Sequence, residues 1–334
     1  MPELPEVETV RRYLDTKLPG DRITAVTVDL PRLIKNRTED AFSRTLTDRV
    51  FRAADRKGKY LILRLDGPES LMVHLRMTGR LVFQEDESLP DPPYTRIRFS
   101  LERGKLTYGD VRTLGDLWII PSEGKTGISR YDTLGPDAIG DAFTPDYLYR
   151  KLKGTSRAVK AVILDQTVVA GVGNIYADEA LFLAGIRPSR HADRVTKAES
   201  AKLCEAIRSV MLGSIEAGGT TFRDFLDGAG HEGGNVENLR VYGRDGEPCT
   251  VCGTEIQLTK IAGRGTRYCP KCRSSAGVMQ RPSRKFRTAR SLSTSGASVC
   301  APQCLGRTRN ALGQCLPAPQ RPSHRTEAHS DAGS

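Results

Sequence analysis

At 334 residues the chain exceeds one typical domain, and we expect two or three folded units with a substantial hydrophobic core. It contains no run of about 18 apolar residues, and its N-terminus carries acids where a signal peptide carries positive charge, which argues against membrane and secreted proteins and predicts a cytoplasmic location. The net charge of +11 and a pI near 9.4 favour a polyanionic partner.

The opening decapeptide, MPELPEVETV, has the pattern of a well-started amphipathic helix. Pro5 suits the first helical turn, and Glu6 complements the positive end of the helix dipole. An apolar stripe follows at helical spacing and consists of Val7, Val10, Leu14 and Leu18. These features predict a helix that packs one face against a core.

The same residues also carry a candidate nucleophile. Initiator methionine is normally trimmed when a small residue follows, which would leave Pro2 as the amino terminus. An α-amino group titrates near ~7.7 to 8.0, against ~10.4 for a lysine side chain, so more of it is unprotonated at neutral pH. Such an amine can attack an electrophilic sugar carbon and form a Schiff base. Glu3 and Glu6 place two carboxylates next to it in the sequence.

Between residues 23 and 120, short runs alternate apolar and polar side chains and are separated by turn residues. The predicted strands lie at 23–30, 49–65, 70–83, 95–101, 105–110 and 116–120. A series of this kind is typical of antiparallel strands that form a two-layer sandwich.

Helical periodicity follows the strands, near 145–152, 157–166, 174–185 and 196–218. These short helices, interrupted by glycines, predict a compact helical domain. Cys204 lies on the last of them and is expected to be a small core residue. A Gly-rich loop, GTTFRDFLDGAGHEGGNVENL, comes next.

Two C-x2-C pairs, Cys249 with Cys252 and Cys269 with Cys272, are separated by sixteen residues. Four thiolates complete a closed tetrahedral zinc site, which leaves no open position for water and makes the metal structural. The segment QLTKIAGRGTRY between the pairs predicts two strands around a basic tip at Arg264. This arginine is either a solvated loop charge or a guanidinium presented to a phosphate.

Residues 274–334 are rich in Ser, Pro, Arg, Gly and Ala and poor in large apolar side chains, which predicts a disordered tail. Residues 280–334 hold nine Lys and Arg against two Asp and Glu, so +7 of the net charge lies there. Its cysteines, Cys300, Cys304 and Cys315, lack the paired spacing, and we expect no second metal site. The tail is either a basic arm that adds salt-sensitive affinity for a polyanion or the product of an altered reading frame.

Together these patterns predict a multidomain α+β protein. Residues 1–130 form an N-terminal β-sandwich domain flanked by the N-terminal helix, and residues 131–235 form a helical domain. Residues 236–273 form a zinc-finger β-hairpin, and residues 274–334 form the basic tail.

Seven motifs in order resemble the formamidopyrimidine-DNA glycosylase family, bacterial base-excision enzymes related to endonuclease VIII. They are PELPEVETV (2–10), RKGKYL (56–61), HLRMTGRL (74–81), DVRTLG (110–115), AGVGNIYADEAL (170–181), GGTTFRDFL (218–226) and VYGRDGEPC with the zinc unit. The resemblance implies a helix-two-turns-helix element in the helical domain. It also implies one structural zinc ion, damaged double-stranded DNA as the partner, a monomer, and association with the bacterial nucleoid.

The resemblance further implies a bifunctional enzyme that removes oxidised purines, chiefly 8-oxoguanine and formamidopyrimidines, and cuts the strand by β,δ-elimination. Pro2 would attack C1′ of the damaged nucleotide, and Glu3 would be the general acid/base. Glu6 would support the N-terminal turn. Lys59 and Arg264 would complete the catalytic set by binding the phosphates that flank the lesion.

The other DNA contacts that the resemblance implies are His74, Met77, Tyr94, Arg112, Leu114, Lys160 and Asn174. Met77, Arg112 and Leu114 occupy the three positions that fill the space left by a flipped base, with Arg112 facing the orphaned cytosine. Asn174 follows a Gly-rich turn into a helix, where donors converge on an anion. Without the resemblance, Lys160 would be a solvated helix residue and His74 a structural strand residue.

Two departures from the family bear on the choice of base. Leu114 stands where the family usually has an aromatic ring; leucine can still wedge between base pairs but stacks less. In the loop at 227–238, which covers the extruded base in relatives, the family often carries Gly-Tyr-Phe where this chain has Gly233, Gly234 and Asn235. Two alternatives therefore stay open: an endonuclease VIII-type glycosylase for oxidised pyrimidines, and a non-catalytic damaged-DNA-binding protein on the same scaffold.

Overall fold

The computed structural model describes residues 2–222 and 224–272. The predicted tail at 274–334, with Cys300, Cys304 and Cys315, lies outside these residues. Among the helices of the described ranges, none combines the length and the apolar composition that crossing a membrane requires.

The predicted N-terminal helix is present as α1, Leu4–Lys17. Its first turn is closed by a capping box in which the side chains of Glu3 and Glu6 each accept a hydrogen bond from the backbone N–H of the other. The stripe at Val7, Val10 and Leu14 is fully buried in the core of the β-sandwich, whereas Leu4 is buried in the core of the helical domain. The first residues of the chain therefore lie where the two domains meet.

The N-terminal domain is the predicted two-layer antiparallel sandwich. Its strands are β1 Ile23–Val28, β2 Phe51–Lys57, β3 Tyr60–Leu65, β4 Glu69–His74, β5 Gly79–Gln84, β6 Thr95–Leu101, β7 Gly104–Asp110 and β8 Asp116–Pro121. One sheet has the order β1-β6-β7-β5 and the other β2-β3-β4-β8. The tight turns between β2 and β3 and between β4 and β5 bring Lys59 and the residues after His74 to one edge of the sandwich.

One helix of this domain was not predicted from the sequence. It is α2, Glu39–Leu46, which Thr38 caps by accepting a hydrogen bond from the N–H of Ala41. The helix buries Phe42 and Leu46 in the sandwich core. A helix of this length shows only these two large apolar positions at helical spacing, too few to stand out from loop sequence.

The helical domain contains α3 Ser129–Asp132, α4 Pro145–Lys153, α5 Val159–Ile163, α6 Asn174–Leu183 and α7 Lys197–Glu216. Four of these match the predicted helices, and the short α3 was not predicted. Helix α6 is buried on nearly all sides and packs against α7, while Cys204 on α7 is a core residue as expected. Because the chain enters α6 through Gly171–Gly173, the N-terminus of this central helix faces the sandwich.

The zinc-finger hairpin consists of β9 Gln257–Ile261 and β10 Arg264–Tyr268, as predicted between the cysteine pairs. Ala262 and Gly263 both have positive φ, at 50° and 75°, and form the turn. Arg264 was expected at the tip but is the first residue of β10, because the two-residue turn ends before it. Strand β10 packs against α6, which carries the hairpin to the same edge of the sandwich.

Candidate active site

A cleft of about 640 Å³ opens between the sandwich, the start of α6 and the zinc-finger hairpin. Six of the residues predicted for the site line it: Lys59, His74, Met77, Leu114, Asn174 and Arg264. They come from five separate segments of the chain. The cleft is therefore a product of the tertiary fold, and these six residues comprise two cations, an imidazole, an amide and two apolar side chains.

The N-terminal residues are buried behind the cleft wall. The carboxylate of Glu3 is 1% exposed, and its Oε1 accepts a hydrogen bond from the N–H of Ile175 at 3.0 Å. Its Oε2 is buried and has no partner among the described residues. A Cβ atom at Gly173 would lie 2.2 Å from the Glu3 carboxyl carbon, so only glycine allows this approach. The start of α6 thus receives Glu3 and provides a hydrogen bond to one of its two carboxylate oxygens.

Pro2 is also buried, and the backbone beyond it is attached to the glycine turn, because Leu4 N–H donates to the Gly171 carbonyl at 3.2 Å. Gly171 has a φ of +102°, which favours glycine, and a Cβ there would clash with Leu4 at 2.4 Å. Gln166 shapes the same turn by accepting from the Gly171 N–H at 2.9 Å. Sequence reasoning missed Gln166, which has no distinguishing pattern.

Glu6 is buried just beyond Glu3 and accepts hydrogen bonds at both oxygens. Oε2 accepts from the N–H of Glu3 at 2.8 Å, while Oε1 accepts from the N–H of Thr220 at 2.9 Å and from the Tyr176 hydroxyl. Burial raises the pKa of Glu6, and the charge of Glu3 adds to that rise; the hydrogen bonds from Tyr176 and the backbone oppose it. Glu6 therefore orders the N-terminal turn and does not face the cleft lumen.

Lys59 lies in the turn between β2 and β3 and is 9% exposed. Burial lowers the pKa of its ammonium, the nearby carboxylate of Glu3 opposes this shift, and the guanidinium of Arg264 reinforces it. Lys59 and Arg264 both line the cleft, and of the carboxylates that act on Lys59, Glu3 has the strongest effect on its pKa. Two cations beside one buried carboxylate create a strong preference for an anionic ligand such as phosphate.

His74, at the end of β4, is held as a neutral imidazole. Burial lowers its pKa to about 3, and the positive charges of Arg76 and Lys59 add to this effect. Its Nδ1 accepts a hydrogen bond from the backbone N–H of Arg76 at 3.0 Å, so the proton resides on Nε2. His74 can therefore offer the cleft an N–H donor without carrying a charge.

Two apolar side chains project at the cleft rim: Met77 is 36% exposed and Leu114 is 50% exposed. Asp110 holds the loop that carries Leu114 by accepting from the N–H of Gly115 at 2.8 Å and of Arg112 at 3.2 Å. Arg112 is exposed on this loop but does not line the cleft. Rigidly held, exposed apolar residues next to a cationic cleft are suited to entering a base stack.

Tyr94 does not line the cleft either. It is 53% exposed, with a positive φ of 65°, and its carbonyl accepts the N–H of Asp110 at 3.0 Å. It therefore lies on the exposed side of the same strand pair that carries the Leu114 loop.

Lys160 is not the solvated helix residue that its position alone would suggest, because its side chain is fully buried, and its DNA contact stays a prediction. Its Nζ donates to Thr266 Oγ1 at 2.8 Å and to the Gly265 carbonyl at 3.0 Å, and it pairs with Asp178 at 2.8 Å. Asn174 Nδ2 donates to the same Gly265 carbonyl at 3.1 Å. These two residues attach the zinc-finger hairpin to the helical domain at the residue that follows Arg264. Lys160 sits in the apolar run Ala-Val-Lys-Ala-Val-Ile, which was the available signal that it would be buried.

The four cysteines bring their Sγ atoms within 4.8 Å of one another. Cys249 and Cys272 are 3.8 Å apart at sulfur, and Cys252 and Cys269 are 3.4 Å apart. Thiolates held at about 2.3 Å from a tetrahedral zinc ion lie about 3.8 Å from one another, so this group fits the metal. The cysteines bind a structural zinc ion, which fixes the base of the hairpin that presents Arg264.

Three family models match successive parts of the chain. The formamidopyrimidine-DNA glycosylase N-terminal domain matches residues 1–117, the formamidopyrimidine-DNA glycosylase H2TH domain matches residues 134–225, and the zinc finger found in FPG and IleRS matches residues 246–274. These matches follow the sandwich, the helical domain and the cysteine unit. The predicted boundaries at 130, 235 and 273 remain predictions.

Curated relatives share the same name. Formamidopyrimidine-DNA glycosylase of Pelotomaculum thermopropionicum is 44% identical over 275 residues, which are 81% of this chain and 99% of that protein. The enzyme of Symbiobacterium thermophilum is 44% identical over 273 residues, which are 81% of this chain and 89% of that protein.

Solved structures that resemble this chain belong to the same family as the curated relatives. A Lactococcus lactis FPG mutant in complex with DNA containing Fapy-dG has a TM-score of 0.76 at 33% identity and covers 81% of this chain and 99% of that chain. The FPG protein of Thermus thermophilus has a TM-score of 0.73 at 38% identity and covers 81% of this chain and 98% of that chain. The likeness in sequence, domain order and structure shows that this chain belongs to the formamidopyrimidine-DNA glycosylase family.

Proposed function

We propose that this chain excises oxidised bases, chiefly oxidised purines, from double-stranded DNA through a Schiff base at Pro2 and then nicks the strand by β,δ-elimination. The observation that carries the proposal is the placement of Glu3. Its buried carboxylate follows Pro2 in the chain, has one oxygen without a hydrogen-bond partner among the described residues, and acts on the pKa of Lys59, which lines the cleft together with Arg264. A secondary amine, an acid and two phosphate-binding cations are the groups that this chemistry needs.

The steps follow from that arrangement. The Pro2 amine attacks C1′ as the glycosidic bond to the damaged base breaks, and the sugar ring opens to an iminium ion. Glu3 donates a proton to the ring oxygen and afterwards assists removal of the C2′ proton. Loss of the phosphate on the 3′ side and then of the phosphate on the 5′ side completes strand cleavage. Lys59 and Arg264 stabilise the phosphates that leave.

The other predicted DNA contacts fall into groups that differ in the part of the DNA they contact. His74 and Asn174 bind the DNA backbone as neutral donors, since both carry N–H groups at the cleft wall. Met77, Arg112 and Leu114 enter the duplex where the base has left it. Tyr94 contacts the strand from its exposed position beside the Leu114 loop.

The preference for purines rests on the PELPEVET motif and the zinc hairpin, and on the name formamidopyrimidine-DNA glycosylase that the curated relatives share. A solved structure holds Lactococcus lactis FPG with DNA containing Fapy-dG, and another holds the wild-type protein with DNA containing an oxidised pyrimidine. The family scaffold thus accepts both kinds of lesion. Cleavage of duplexes with 8-oxoguanine opposite cytosine, compared with thymine glycol opposite adenine, discriminates between them. We expect faster cleavage at 8-oxoguanine, and faster cleavage at thymine glycol would favour the endonuclease VIII type.

Borohydride trapping tests whether the protein is catalytic at all. Mature protein, with Pro2 at its terminus, should form a covalent adduct on damaged duplex that borohydride makes permanent. A matched protein with a tag before Pro2 should lose trapping and keep its affinity for DNA, because only the amine is blocked. A mature protein that binds DNA without any adduct would instead be a non-catalytic damage-binding protein.

We also propose that the protein acts as a monomer on the bacterial nucleoid. A single chain supplies every residue of the cleft described above, and chromosomal DNA is the substrate. Sedimentation of the protein with a short damaged duplex should give a complex of one chain per duplex; two chains per duplex at saturation would contradict this.

A further inference from the structure

A chain of buried hydrogen bonds connects the loop at 227–238 with the N-terminal residues. It starts at Asn235, the first residue of a short 3-10 helix, Asn235–Asn238. Asn235 is 6% exposed, and its Nδ2 donates to Thr220 Oγ1 at 2.8 Å. Thr220 Oγ1 lies 2.8 Å from the Tyr176 hydroxyl, which in turn bonds to Glu6 Oε1.

The direction of each bond in this chain is determined by chemistry. The amide nitrogen of Asn235 can only donate, so the Thr220 oxygen accepts that bond. Because the single hydroxyl proton of Tyr176 goes to Glu6, the Thr220 hydroxyl donates its own proton to the Tyr176 oxygen. Burial raises the pKa of Tyr176 well above its usual value, so its hydroxyl keeps its proton and donates it to Glu6. Ser214, at 2.6 Å, supplies a second donor to the Tyr176 oxygen. All the donors therefore point towards the Glu6 carboxylate.

The chain ends on the peptide bond of the nucleophile. Glu6 Oε2 accepts the N–H of Glu3, and this N–H belongs to the amide that joins Pro2 to Glu3. Because a peptide unit is planar, holding its N–H also fixes the position of the Pro2 Cα. The titratable groups that face Glu6 are Glu3 from the same turn, Tyr176 from α6 and Lys59 from the sandwich. Asn235 connects the loop to this group.

We propose that Asn235 is a positioning residue for the Pro2 nucleophile, acting through Thr220, Tyr176 and Glu6. The proposal rests on the proposed function and adds a specific role for the loop at 227–238. Hydrogen bonds that point the same way strengthen one another in a buried site. Loss of the Asn235 amide should therefore weaken the hydrogen bond from Tyr176 to Glu6.

The test uses substitutions that remove one donor and preserve shape: Asn235→Leu, Tyr176→Phe and Thr220→Val. We expect Tyr176→Phe, which removes a hydrogen bond to a charged group, to slow the first-order rate of borohydride trapping on an abasic-site duplex about tenfold. Asn235→Leu and Thr220→Val, which each remove a bond between neutral groups, should slow it about fivefold. The dissociation constant for an uncleavable abasic-analogue duplex should stay within about twofold of wild type, because no phosphate contact changes. Thr220→Ser, which keeps the hydroxyl, should restore the trapping rate.

Tyr147→Phe is the matched control, because Tyr147 donates to the Val168 carbonyl at 2.9 Å within the helical domain and outside this chain of bonds. It should lower the melting temperature as Tyr176→Phe does and leave trapping unchanged. The double variant Asn235→Leu/Tyr176→Phe should be no slower than Tyr176→Phe alone, since both act along one path. Additive effects, or variants that melt earlier yet trap at the wild-type rate, would overturn the proposal.

Amide hydrogen exchange of the peptide that contains Glu3 separates this proposal from the proposed function. Asn235→Leu should speed exchange at that amide, and Tyr147→Phe should not. If wild-type protein fails to trap DNA while exchange still depends on Asn235, the catalytic proposal fails and the positioning role stands. If wild-type protein traps DNA and Asn235→Leu alters neither rate nor exchange, the positioning role fails and the catalytic proposal stands.

Discussion

At the scale of single residues, the main feature of the site is the contact of the Glu3 carboxylate with the backbone at the start of α6. Glu3 lies so close to Gly173 that a methyl group on that glycine has no room, and the Ile175 N–H adds a directed bond at 3.0 Å. Such contact fixes the carboxylate without a side-chain partner, and Oε2 has no hydrogen-bond partner among the described residues. The start of α6 also places its partial positive charge beside this acid.

Gly173→Ala should therefore displace the Glu3 carboxylate. We expect the rate of borohydride trapping to fall about 100-fold, because a displacement of about 1 Å at a reacting group has an effect of this size. The affinity for undamaged DNA should stay the same. Gly213→Ala is the control, because a Cβ at this exposed position of α7 meets open space. That substitution should raise stability by up to about 1 kcal/mol and leave trapping unchanged. If Gly173→Ala traps DNA at the wild-type rate, the reaction does not depend on this position of the Glu3 carboxylate.

At the scale of elements, the zinc-finger hairpin is held at both ends. The zinc ion fixes its base, and Lys160 with Asn174 holds the Gly265 carbonyl near its turn. Arg264 is thus placed by metal coordination on one side and by a buried ammonium on the other. A hairpin with this few apolar contacts would otherwise be a poor platform for a phosphate-binding residue.

Lys160→Met tests this attachment. Removing the ammonium from beside the buried Asp178 carboxylate should destabilise the protein by about 3 kcal/mol, measured by urea unfolding. Affinity for damaged duplex should fall with it, because Arg264 loses its support. Lys151→Met, at an exposed position of α4, should change stability by no more than about 0.5 kcal/mol. If Lys160→Met instead kept full stability and only weakened DNA binding, Lys160 would be the direct phosphate contact that the family resemblance implies.

At the scale of the whole molecule, charge is distributed unevenly along the chain. Residues 280–334 carry +7 of the net +11, and they lie beyond the residues that the structure describes. The zinc-finger family model ends its match at residue 274. A basic segment outside the catalytic region adds affinity that is independent of sequence and sensitive to salt.

A protein that ends at residue 280 should keep its zinc content and its trapping rate, because the cleft lies wholly within the described residues. The slope of log affinity against log salt concentration should become shallower by about 0.9 for each phosphate contact that the segment had made. Titration of the same duplex at several salt concentrations, with the full chain as the control, measures this slope. An unchanged slope would leave the segment without a role in DNA binding.

The sequence by itself determined the parts that depend on local pattern. Period-two runs defined the sandwich strands, helical periodicity defined α1, α4, α6 and α7, and the cysteine spacing defined the zinc site. Motif order identified the family, and with it Pro2, Glu3, Lys59 and Arg264 as candidates. Each of these signals is carried by residues close together in the chain, where spacing alone reports geometry.

Only the tertiary structure decided which residues meet across the domains. The attachment of Gly265 to Lys160, the space that Gly173 leaves for Glu3, and the path from Asn235 to Glu6 join segments about 100 to 230 residues apart. Lys160 shows where the limit lies, because its apolar neighbours in the sequence indicated burial but only the structure identifies Asp178 as its partner. The choice of partner depends on packing between distant segments, and no local spacing encodes it.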